Sequence, residues 1–254
     1  MVSIIIPVLN EERALPGTLD ALFRQEGDYE VIAVDGGSRD GTLDVLADFG
    51  FSPMLPDGSQ GPPLVSRRSP DISRKTLHAS RLFLSAPKGR ATQMNAGAAV
   101  AQGGWLLFLH ADTVLPNDAL SRLNAMEQEA AVQAGGFRHR FSGTDWRLRS
   151  ISWLDNFRCE HSRVIYGDQA LFVRRSLFRA VGGFPDQPIL EDVALCERLS
   201  AHTRLVLLDQ TVITDARKFL AMGIGRSFLR VLLIILHVQF RLPVLPRVFF
   251  QDVR

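Results

Sequence analysis

Short apolar runs alternate with segments of helical spacing through the first half of the chain. The runs are continuous and rich in β-branched or aromatic residues, which is typical of strands buried on both faces. The predicted strands are 3–8, 29–34 and 105–109, and the predicted helices between them are 11–25, 40–49 and 89–102. This alternation predicts an α/β fold with a mostly parallel, Rossmann-like central sheet flanked by helices. Ligands are expected at the carboxyl ends of its strands.

The second half has a weaker pattern. Its predicted elements are strands 132–141, 170–174, 204–208 and 211–214 and helices 146–158 and 191–201. Because no Pro/Gly/Ser linker and no internal repeat separates the halves, we expect one domain over 1–216. Trp146 and Trp153 are seven residues apart and share a helical face, which favours core residues over a sugar-stacking platform.

Two segments break this pattern. Residues 57–80 carry several prolines and basic residues without a sustained period, and are expected to be a flexible surface insertion or a basic lid over an anionic ligand. Residues 217–254 are expected to form a C-terminal helical tail. Its part 225–250 mixes apolar residues with arginines, so it could pack on the domain, on a second subunit in a homodimer, or on a membrane surface as a peripheral contact.

Composition narrows the class of protein. The chain has 254 residues, of which 46% are hydrophobic, and a formal net charge of +2, which does not indicate a nucleic-acid partner. Its two cysteines exclude a disulfide scaffold and a four-thiolate zinc site. The first residues lack the features of a cleaved leader, and the longest apolar run, 231–236, is far shorter than the roughly 20 residues of a spanning helix. We therefore expect a cytoplasmic protein, at most peripheral at the inner face of the membrane.

The common nucleotide-binding motifs do not occur. A dinucleotide-binding fold needs G-x-G-x-x-G after the first strand, where this chain has Asn10 and Glu11. Gly36 and Gly41 have the spacing of a P-loop, but Thr42 stands where that motif needs lysine. The motifs H-E-x-x-H, G-x-S-x-G and C-x-x-C are also missing from the sequence.

Carboxylates follow the predicted strands instead. Asp35 follows the second strand directly, Asp112 comes shortly after 105–109, and Glu191 and Asp192 begin a predicted helix. One such acid alone is often a helix cap. Acids gathered in one crevice would repel each other, so a bound divalent cation or a ligand rich in hydrogen-bond donors is the expected partner.

Six sequence blocks in this order resemble the family 2 glycosyltransferases of the GT-A fold. They cover nearly the whole chain except 57–80. The blocks are 3–12, 34–42, 89–97, 109–113, 181–184 and 190–193. The chain is most similar to a small cytoplasmic branch with a His-Ala-Asp metal motif, some members of which are associated with arsenosugar biosynthesis. The resemblance implies transfer of a sugar from a nucleoside-diphosphate donor to an acceptor hydroxyl, with inversion and with Mg²⁺ or Mn²⁺.

The resemblance also implies roles for single residues. Asp35 would accept a hydrogen bond from the nucleotide base, in a pocket that Pro7, Asn10 and Glu11 line. The residues implied to contact the nucleotide, its phosphates and the metal are Arg90, Asn95 and Asp112, with Asp112 holding the cation. Asp192 would be the general base and Glu191 its support, and Asp168 and Gln169 would contact the donor sugar or the acceptor.

The chain departs from the family pattern at two positions. His110 replaces the first aspartate of the usual metal motif, and it is expected either to bind the metal or to lie behind the ligands as a donor or core histidine. Gly36 stands where many relatives have a second acid. Two alternatives stay open: a sugar-1-phosphate nucleotidyltransferase, which the acidic Glu11 and Glu12 disfavour, and a non-catalytic nucleotide-sugar-binding protein.

Overall fold

The computed structural model of the protein describes residues 1–55, 59–65, 80–129, 131–187, 190–223, 225–229 and 233. The strands are β1 (Val2–Val8), β2 (Tyr29–Asp35), β3 (Ser52–Pro53), β4 (Ser80–Ser85), β5 (Trp105–Phe108), β6 (Thr113–Val114), β7 (Ala134–Phe141), β8 (Phe172–Arg174) and β9 (Val206–Thr214). The helices are α1 (Leu15–Leu22), α2 (Thr42–Asp48), α3 (Arg90–Val100), α4 (Ala119–Ala125), α5 (Trp146–Ser162), α6 (Arg175–Ala180), α7 (Glu191–Ser200) and α8 (Arg217–Met222). Short 3₁₀ turns occur at Met126–Gln128 and Gly167–Gln169.

These strands form one sheet in the order β3-β4-β2-β1-β5-β8-β7-β9-β6. The neighbours from β3 to β5 are all parallel, β8 is antiparallel to both β5 and β7, and β7 and β9 are parallel again. The predicted α/β class with a mostly parallel sheet is confirmed. Because β1, β2, β4 and β5 run in one direction, their carboxyl ends share one edge of the sheet.

Successive side chains of β1 point to opposite faces, so the apolar run fills two layers of core. Ile4 and Ile6 pack with α1, α2 and α4 on one face, whereas Ile5 packs with α3 and α7 on the other. Gly97 lets α3 approach the sheet closely, since a Cβ there would lie 2.6 Å from the Ile5 side chain. Helices cover both faces, and the functional loops are left at the strand ends.

Several predicted boundaries were wrong. The helix predicted over 11–25 is confined to Leu15–Leu22, with Pro16 in its first turn, where a missing N–H is tolerated. The strands predicted at 204–208 and 211–214 are one strand, β9, interrupted by an irregular register opposite β7. The two-residue strands β3 and β6 were not predicted, because so short a strand carries no readable period. The six-residue strand β4 was also not predicted.

The prediction that Trp146 and Trp153 belong to the core was also wrong. They do share a face of α5, but 72% and 63% of their surfaces are exposed. The helix buries the opposite side, which carries Leu148 and Ile151. Period alone shows which residues share a face and not which face is inward.

Two predicted segments fall mostly outside the described residues. Of the insertion 57–80, the structure describes 59–65 and Ser80, the first residue of β4. Of the tail segment 225–250, it describes a helical stretch over 225–229 and residue 233. None of the helices in the described ranges has the length and hydrophobicity needed to cross a membrane.

Candidate functional site

The loops after β1 and β2 are fastened to each other at the shared sheet edge. Asn10 has a left-handed backbone with φ of 57°, a conformation asparagine tolerates better than most residues. Its backbone N–H donates to Ser38 Oγ at 3.0 Å, and its side-chain Oδ1 accepts from the backbone N–H of Arg39 at 2.8 Å. The backbone N–H of Glu11 donates to Thr42 Oγ1 at 2.8 Å. These bonds fix one wall of the predicted base pocket.

Asp35 lies at the end of β2 with 5% of its surface exposed. Its carboxylate accepts hydrogen bonds from the backbone N–H groups of Gly37 and Ser38 at 3.0 to 3.1 Å, and from the Ser38 hydroxyl at 2.5 Å. The loop therefore holds the carboxylate in one orientation. A base donor would have to use the lone pairs that these contacts leave.

Gln93 of α3 fastens the same edge from behind. Its Nε2 donates to the backbone oxygens of Val8 at 2.9 Å and of Val34 at 2.7 Å, where β1 and β2 end. A Cβ at Gly36 would lie 3.0 to 3.1 Å from the Gln93 side chain. This close approach gives a local reason why the chain has glycine rather than a second acid at position 36. Sequence reasoning did not identify Gln93.

Pro7 lies in β1 where a central strand would normally exclude it. It pairs with Val34 of β2, but the pairing of β1 with β5 ends at Ile5. Because β5 does not extend alongside Pro7, the missing N–H leaves no ladder position empty there. Pro7 thus marks where the crevice between β1 and β5 opens.

Glu11 is joined to the far end of the described chain. Arg217, at the start of α8, places Nη2 2.6 Å from Glu11 Oε2 and Nε 3.7 Å from Asp215 Oδ2. The backbone N–H of Asp215 in turn donates to the backbone oxygen of Asp112 at 2.9 Å. The β9–α8 junction therefore links the loop after β1 to the turn that carries Asp112. Nothing in the sequence pattern pointed to Arg217.

The turn that carries His110 and Asp112 is held on two sides. Thr18 of α1 donates its hydroxyl to the Ala111 backbone oxygen at 2.8 Å, and the Thr113 N–H donates to the His110 oxygen at 3.1 Å. Thr113 also pairs with Thr214 of β9 through their hydroxyls at 3.0 Å. The step from β5 to β6 thus presents the two side chains at a fixed point.

His110 lies among the charged groups of the site. Burial and the nearby positive charge of Arg90 lower its imidazole pKa, while the negative charges of Asp112, Asp168 and Asp192 act in the opposite direction. The net direction is downward, so the imidazole is neutral near pH 7. Four of the predicted site residues thus lie close enough to His110 for their charges to affect its pKa.

Asp192 lies in the first turn of α7, directly after Leu190 and Glu191. Leu190 has a left-handed backbone with φ of 56°, which turns the chain sharply into the helix. Asp192 Oδ2 accepts the backbone N–H of Gly167 at 2.8 Å, and its Oδ1 accepts that of Val193 at 2.8 Å. These bonds aim the carboxylate at the 3₁₀ turn that contains Asp168.

Gly167 is where that turn meets His110. A Cβ at position 167 would lie 2.5 Å from His110 Nε2, so only glycine fits without displacing the ring or the turn. The family resemblance implied roles only for its neighbours Asp168 and Gln169. Its contact partner is 57 positions away in the chain, so no local signal could have found it.

Two of the residues implied to bind the nucleotide have protein partners. Arg90 Nε lies 2.8 Å from Glu191 Oε1, and the Glu191 side chain is almost fully buried. Asn95 Nδ2 donates to the Phe184 oxygen at 2.8 Å, and the Phe184 N–H donates back to Asn95 Oδ1 at 3.0 Å. Glu191 therefore orients Arg90, while Asn95 fastens α3 to the loop before α7.

A group of buried polar side chains lies behind the 3₁₀ turn, and sequence reasoning missed all of it except Gln169. His139 Nε2 is 3.7 Å from Asp168 Oδ2, and the Arg158 guanidinium lies 3.7 Å from the centre of the Tyr166 ring. Within the described structure, buried side-chain atoms without a hydrogen-bond partner are concentrated here. The atoms of this kind in the group are His139 Nδ1 and Nε2, Arg158 Nε and Nη2, Tyr166 Oη and Gln169 Nε2.

Burial in this region shifts the pKa values of two side chains, Tyr166 and Asp155. Burial is the main cause that raises the pKa of Tyr166 to about 12. Burial, together with the negative charge of Asp168, also raises the pKa of Asp155 on α5 to about 7, although Arg158 opposes the shift. Asp155 is thus an ionisable group beside the site that titrates near neutral pH.

The donor set fits a metal ion only in part. In the ranges that the structure describes, no group of three or more His, Cys, Asp or Glu side chains is arranged to hold one. Asp112 and the neutral His110 supply one carboxylate and one imidazole. That is enough for a hard divalent cation that takes its other oxygens from substrate phosphates and water.

The predicted residues therefore form two groups along one sheet edge. Pro7, Asn10, Glu11 and Asp35 lie at the ends of β1 and β2. The second group surrounds His110 and comprises Arg90, Asp112, Asp168 and Asp192, with Glu191 behind Arg90. Since β1 lies between β2 and β5, the two groups flank the crevice at the end of β1.

A comparison with known protein families agrees with this arrangement. The family model described as glycosyl transferase family 2 matches residues 3–54 and 67–183, about two thirds of the chain. The chain belongs to glycosyl transferase family 2. The matched residues include both loops of the first group and the turn that carries His110, and they end before α7.

Curated relatives include a "PGL/p-HBAD biosynthesis glycosyltransferase" of Mycobacterium bovis, which is 34% identical over 192 residues, or 72% of this chain and 63% of the relative. An "undecaprenyl-phosphate 4-deoxy-4-formamido-L-arabinose transferase" of Aeromonas hydrophila is 30% identical over 169 residues, or 65% of this chain and 42% of the relative. The chain thus spans less than two thirds of the length of these relatives.

Solved glycosyltransferase structures share the fold. The structure of S. aureus TarS 1–349 in complex with UDP-GlcNAc matches 84% of this chain and 58% of its own, with a TM-score of 0.58 and 17% identity. The mannosyltransferase PcManGT from Pyrobaculum calidifontis, in complex with GDP-Man and Mn²⁺, matches 84% of this chain and 56% of its own, with a TM-score of 0.58 and 18% identity. The GT-A fold expected from the sequence is confirmed.

Proposed function

We propose that the protein transfers a sugar from a nucleoside-diphosphate donor to an acceptor hydroxyl, with inversion at the anomeric carbon. The observation that carries the proposal is that the 167–169 turn meets both His110 and Asp192: a Cβ at Gly167 would lie 2.5 Å from His110 Nε2, and the Gly167 N–H donates to Asp192 Oδ2 at 2.8 Å. The charges of Arg90, Asp112 and Asp168 also act on His110. A cation, a base and an arginine beside one crevice are what an in-line displacement of a diphosphate requires. Two solved proteins of this fold, named above, are described as complexes with UDP-GlcNAc and GDP-Man.

The donor nucleotide is placed over the ends of β1 and β2. The wall formed by the 9–12 and 36–42 loops is fixed by the hydrogen bonds of Asn10 and Asp35, so the pocket needs little reorganisation to bind a base. Arg217 partly neutralises Glu11, which reduces the repulsion between that carboxylate and incoming phosphates. Pro7, which pairs with Val34 where β1 ends, would line the same pocket.

The diphosphate is placed near Arg90 and Asp112. Glu191 takes one edge of the Arg90 guanidinium, which holds the group in position and leaves other N–H donors for phosphate oxygens. Asp112, with His110 as a second ligand or a support behind it, would hold Mg²⁺ or Mn²⁺. When bound there, such an ion supplies stabilisation of the negative charge on the leaving diphosphate.

Asp192 is proposed as the base. The N–H groups of Gly167 and Val193 orient its carboxylate, so it can take the proton of an acceptor hydroxyl as the acceptor oxygen attacks the anomeric carbon. The bond from that carbon to the diphosphate oxygen breaks on the opposite face, which inverts the configuration. Asp168, beside Asp192 and 3.7 Å from His139, is placed to accept a hydrogen bond from the donor sugar or the acceptor.

A test separates this function from its two alternatives. The protein is incubated with UDP-, GDP- and dTDP-sugars and Mn²⁺, once without and once with added pyrophosphate, and the products are separated by chromatography. Sugar transfer, or slow donor hydrolysis, releases a nucleoside diphosphate, whereas a nucleotidyltransferase run in reverse with pyrophosphate releases sugar-1-phosphate and a nucleoside triphosphate. Binding of a donor with neither product would indicate a binding protein.

The variant for this test is Asp112→Asn, which keeps the size of the side chain and removes its charge. We expect nucleoside-diphosphate release to fall by about 10²-fold or more, because the charge that would hold the cation against the diphosphate is lost. The matched control is Asp118→Asn, which lies just before α4, on the far side of the β6 turn, and should retain full activity. An Asp112→Asn variant as active as the control would contradict the proposed role.

A further inference from the structure

The outer face of α5 carries an aromatic stripe in place of the polar side chains usual on an exposed helix. We define the stripe as Trp146, Trp153, Leu154 and Phe157, which are exposed over 72%, 63%, 38% and 48% of their surfaces. The Trp153 and Phe157 rings stack with centroids 5.5 Å apart, and His161 continues the row 4.1 Å from Phe157. The outward face of α5 therefore carries a row of exposed apolar rings.

Charged side chains flank the stripe. Residues 146–163 contain four arginines and two acids, and of the arginines only Arg158 is buried. Two acids lie next to the stripe, and each forms an ion pair: Asp145 with Arg147 at 3.0 Å, and Glu160 with Arg138 at 2.6 Å. Asp155 lies on the inward side of the helix. Two further arginines are exposed: Arg149 on α5 and Arg163 directly after its last residue. The border of the stripe is thus net positive.

We propose that this stripe is a docking surface for an anionic lipid membrane. Indole and phenyl rings on one helix face with arginines beside them are the composition of helices that lie in the membrane interface. Tryptophan is suited to that position because its ring is apolar and its N–H can stay hydrated. The arginines supply the attraction to anionic headgroups.

The size of the stripe favours a membrane over a second protein chain. From Trp146 to Phe157 the helix is about 17 Å long and, with side chains, about 10 Å wide. A stable protein interface usually buries about 800 Å² of accessible surface on each partner, more than the four side chains of the stripe expose by themselves. A lipid surface requires no shape complementarity, so a narrow convex ridge is sufficient to insert.

The surface is linked to the candidate site through the same helix. The inward side of α5 carries Asp155 and Arg158, which lie beside Asp168 and Tyr166. Docking through the stripe would therefore place the acceptor side of the crevice near the membrane. The proposal concerns α5, is independent of the tail segment 225–250, and can be tested without any sugar transfer.

The tryptophans make the test direct. The chain has three: Trp105 is fully buried, while Trp146 and Trp153 are both in the stripe. The full-length protein is titrated with vesicles of phosphatidylcholine alone and of phosphatidylcholine mixed with phosphatidylglycerol, following tryptophan emission and co-sedimentation. We expect a blue shift of the emission and co-sedimentation with the anionic vesicles, because both exposed rings enter a less polar environment.

Two variants locate the contact. In W146S/W153S/F157S, the anionic-vesicle partition coefficient should fall about tenfold or more, since most of the inserting surface is removed. The control Leu43→Ser changes a comparably exposed apolar side chain on α2 and should bind as the wild type does. Circular dichroism checks that both variants fold, which exposed positions should allow.

Three results would overturn the proposal. They are unshifted emission with anionic vesicles, equal co-sedimentation of the triple variant and the wild type, and a wild-type dimer in sedimentation velocity that the triple variant dissociates. The second result would assign membrane contact to another part of the chain. The third would make the stripe an interface between copies.

Discussion

The raised pKa of Asp155 should make the stability of the protein depend on pH in a way that can be measured. Burial and the charge of Asp168 raise the pKa of Asp155 to about 7, against about 3.9 in an unfolded chain. Between these values the folded state binds more protons than the unfolded state, so the free energy of unfolding falls as pH rises from about 4 to 7.

Asp155→Asn should remove this dependence. Because the side chain is partly exposed, we expect the variant to be more stable than the wild type by about 1–2 kcal/mol at pH 8 and nearly equal to it at pH 4. Urea unfolding at the two pH values measures the difference. Asp186→Asn, on an exposed loop, serves as the control. Equal stabilities of Asp155→Asn and the wild type at pH 8 would contradict the raised pKa.

The close contact of Gly167 with His110 leads to a second prediction for a single residue. The methyl group of Gly167→Ala would lie 2.5 Å from His110 Nε2 and would displace either the ring or the turn. We expect a loss of about 1–3 kcal/mol in stability and a fall in nucleoside-diphosphate release. Gly17→Ala is the matched control, since nothing lies within 4 Å of its added Cβ. Full activity of Gly167→Ala would mean that the turn need not touch His110.

Sequence reasoning at this scale found residues whose position relative to a strand reveals them. Asp35 ends one buried strand and Asp112 comes shortly after another, and a strand end is a local feature. Arg158 and Tyr166 were not found, because they come together only when α5 packs against the 166–169 turn. Arg217 was also missed, because its contact with Glu11 joins residues 206 positions apart in the chain.

At the scale of elements, α3 connects the sheet edge to the loop before α7. Asn95 makes two hydrogen bonds to Phe184 at 2.8 and 3.0 Å, and this geometry favours a structural role over the nucleotide contact that the family resemblance implies. A fastened loop keeps Glu191 and Asp192 at the start of α7 in position.

Asn95→Ala should therefore act on stability more than on donor binding. We expect a loss of about 1–3 kcal/mol in the free energy of unfolding, because the Phe184 N–H and carbonyl lose their partners. The donor Kd, measured by calorimetry, should change less than tenfold. Asn117→Ala, at an exposed position, is the control. An unchanged stability with donor binding weakened more than tenfold would return Asn95 to the nucleotide site.

The elements themselves were predicted unevenly. Strands β1, β2 and β5 and helix α3 were found with boundaries close to those observed, since long buried runs and regular spacing are strong local signals. The inward face of α5 was assigned wrongly. Because α5 has apolar residues on its outer face as well as on its inner face, the spacing of apolar residues does not show which face is buried.

At the scale of the whole molecule, the parallel strands decide where the site lies. The order β4-β2-β1-β5 brings the two groups of site residues to one edge, on either side of the end of β1. The sequence predicted this edge, because parallel strands place their carboxyl ends together. It could not predict that β9 and α8 close the same edge through Asp215 and Arg217, which is a product of the complete topology.

We propose that one crevice holds both the nucleoside-diphosphate sugar and the general base Asp192. This proposal is tested most directly by donor binding and turnover in Asp192→Asn, with Glu197→Gln on the exposed side of the same helix as the control. We expect an unchanged donor Kd, a fall of about 10²–10⁴-fold in the rate of sugar transfer, and a fully active control. An Asp192→Asn enzyme that transfers sugar at the control's rate, or that loses donor affinity and rate in equal proportion, would contradict it.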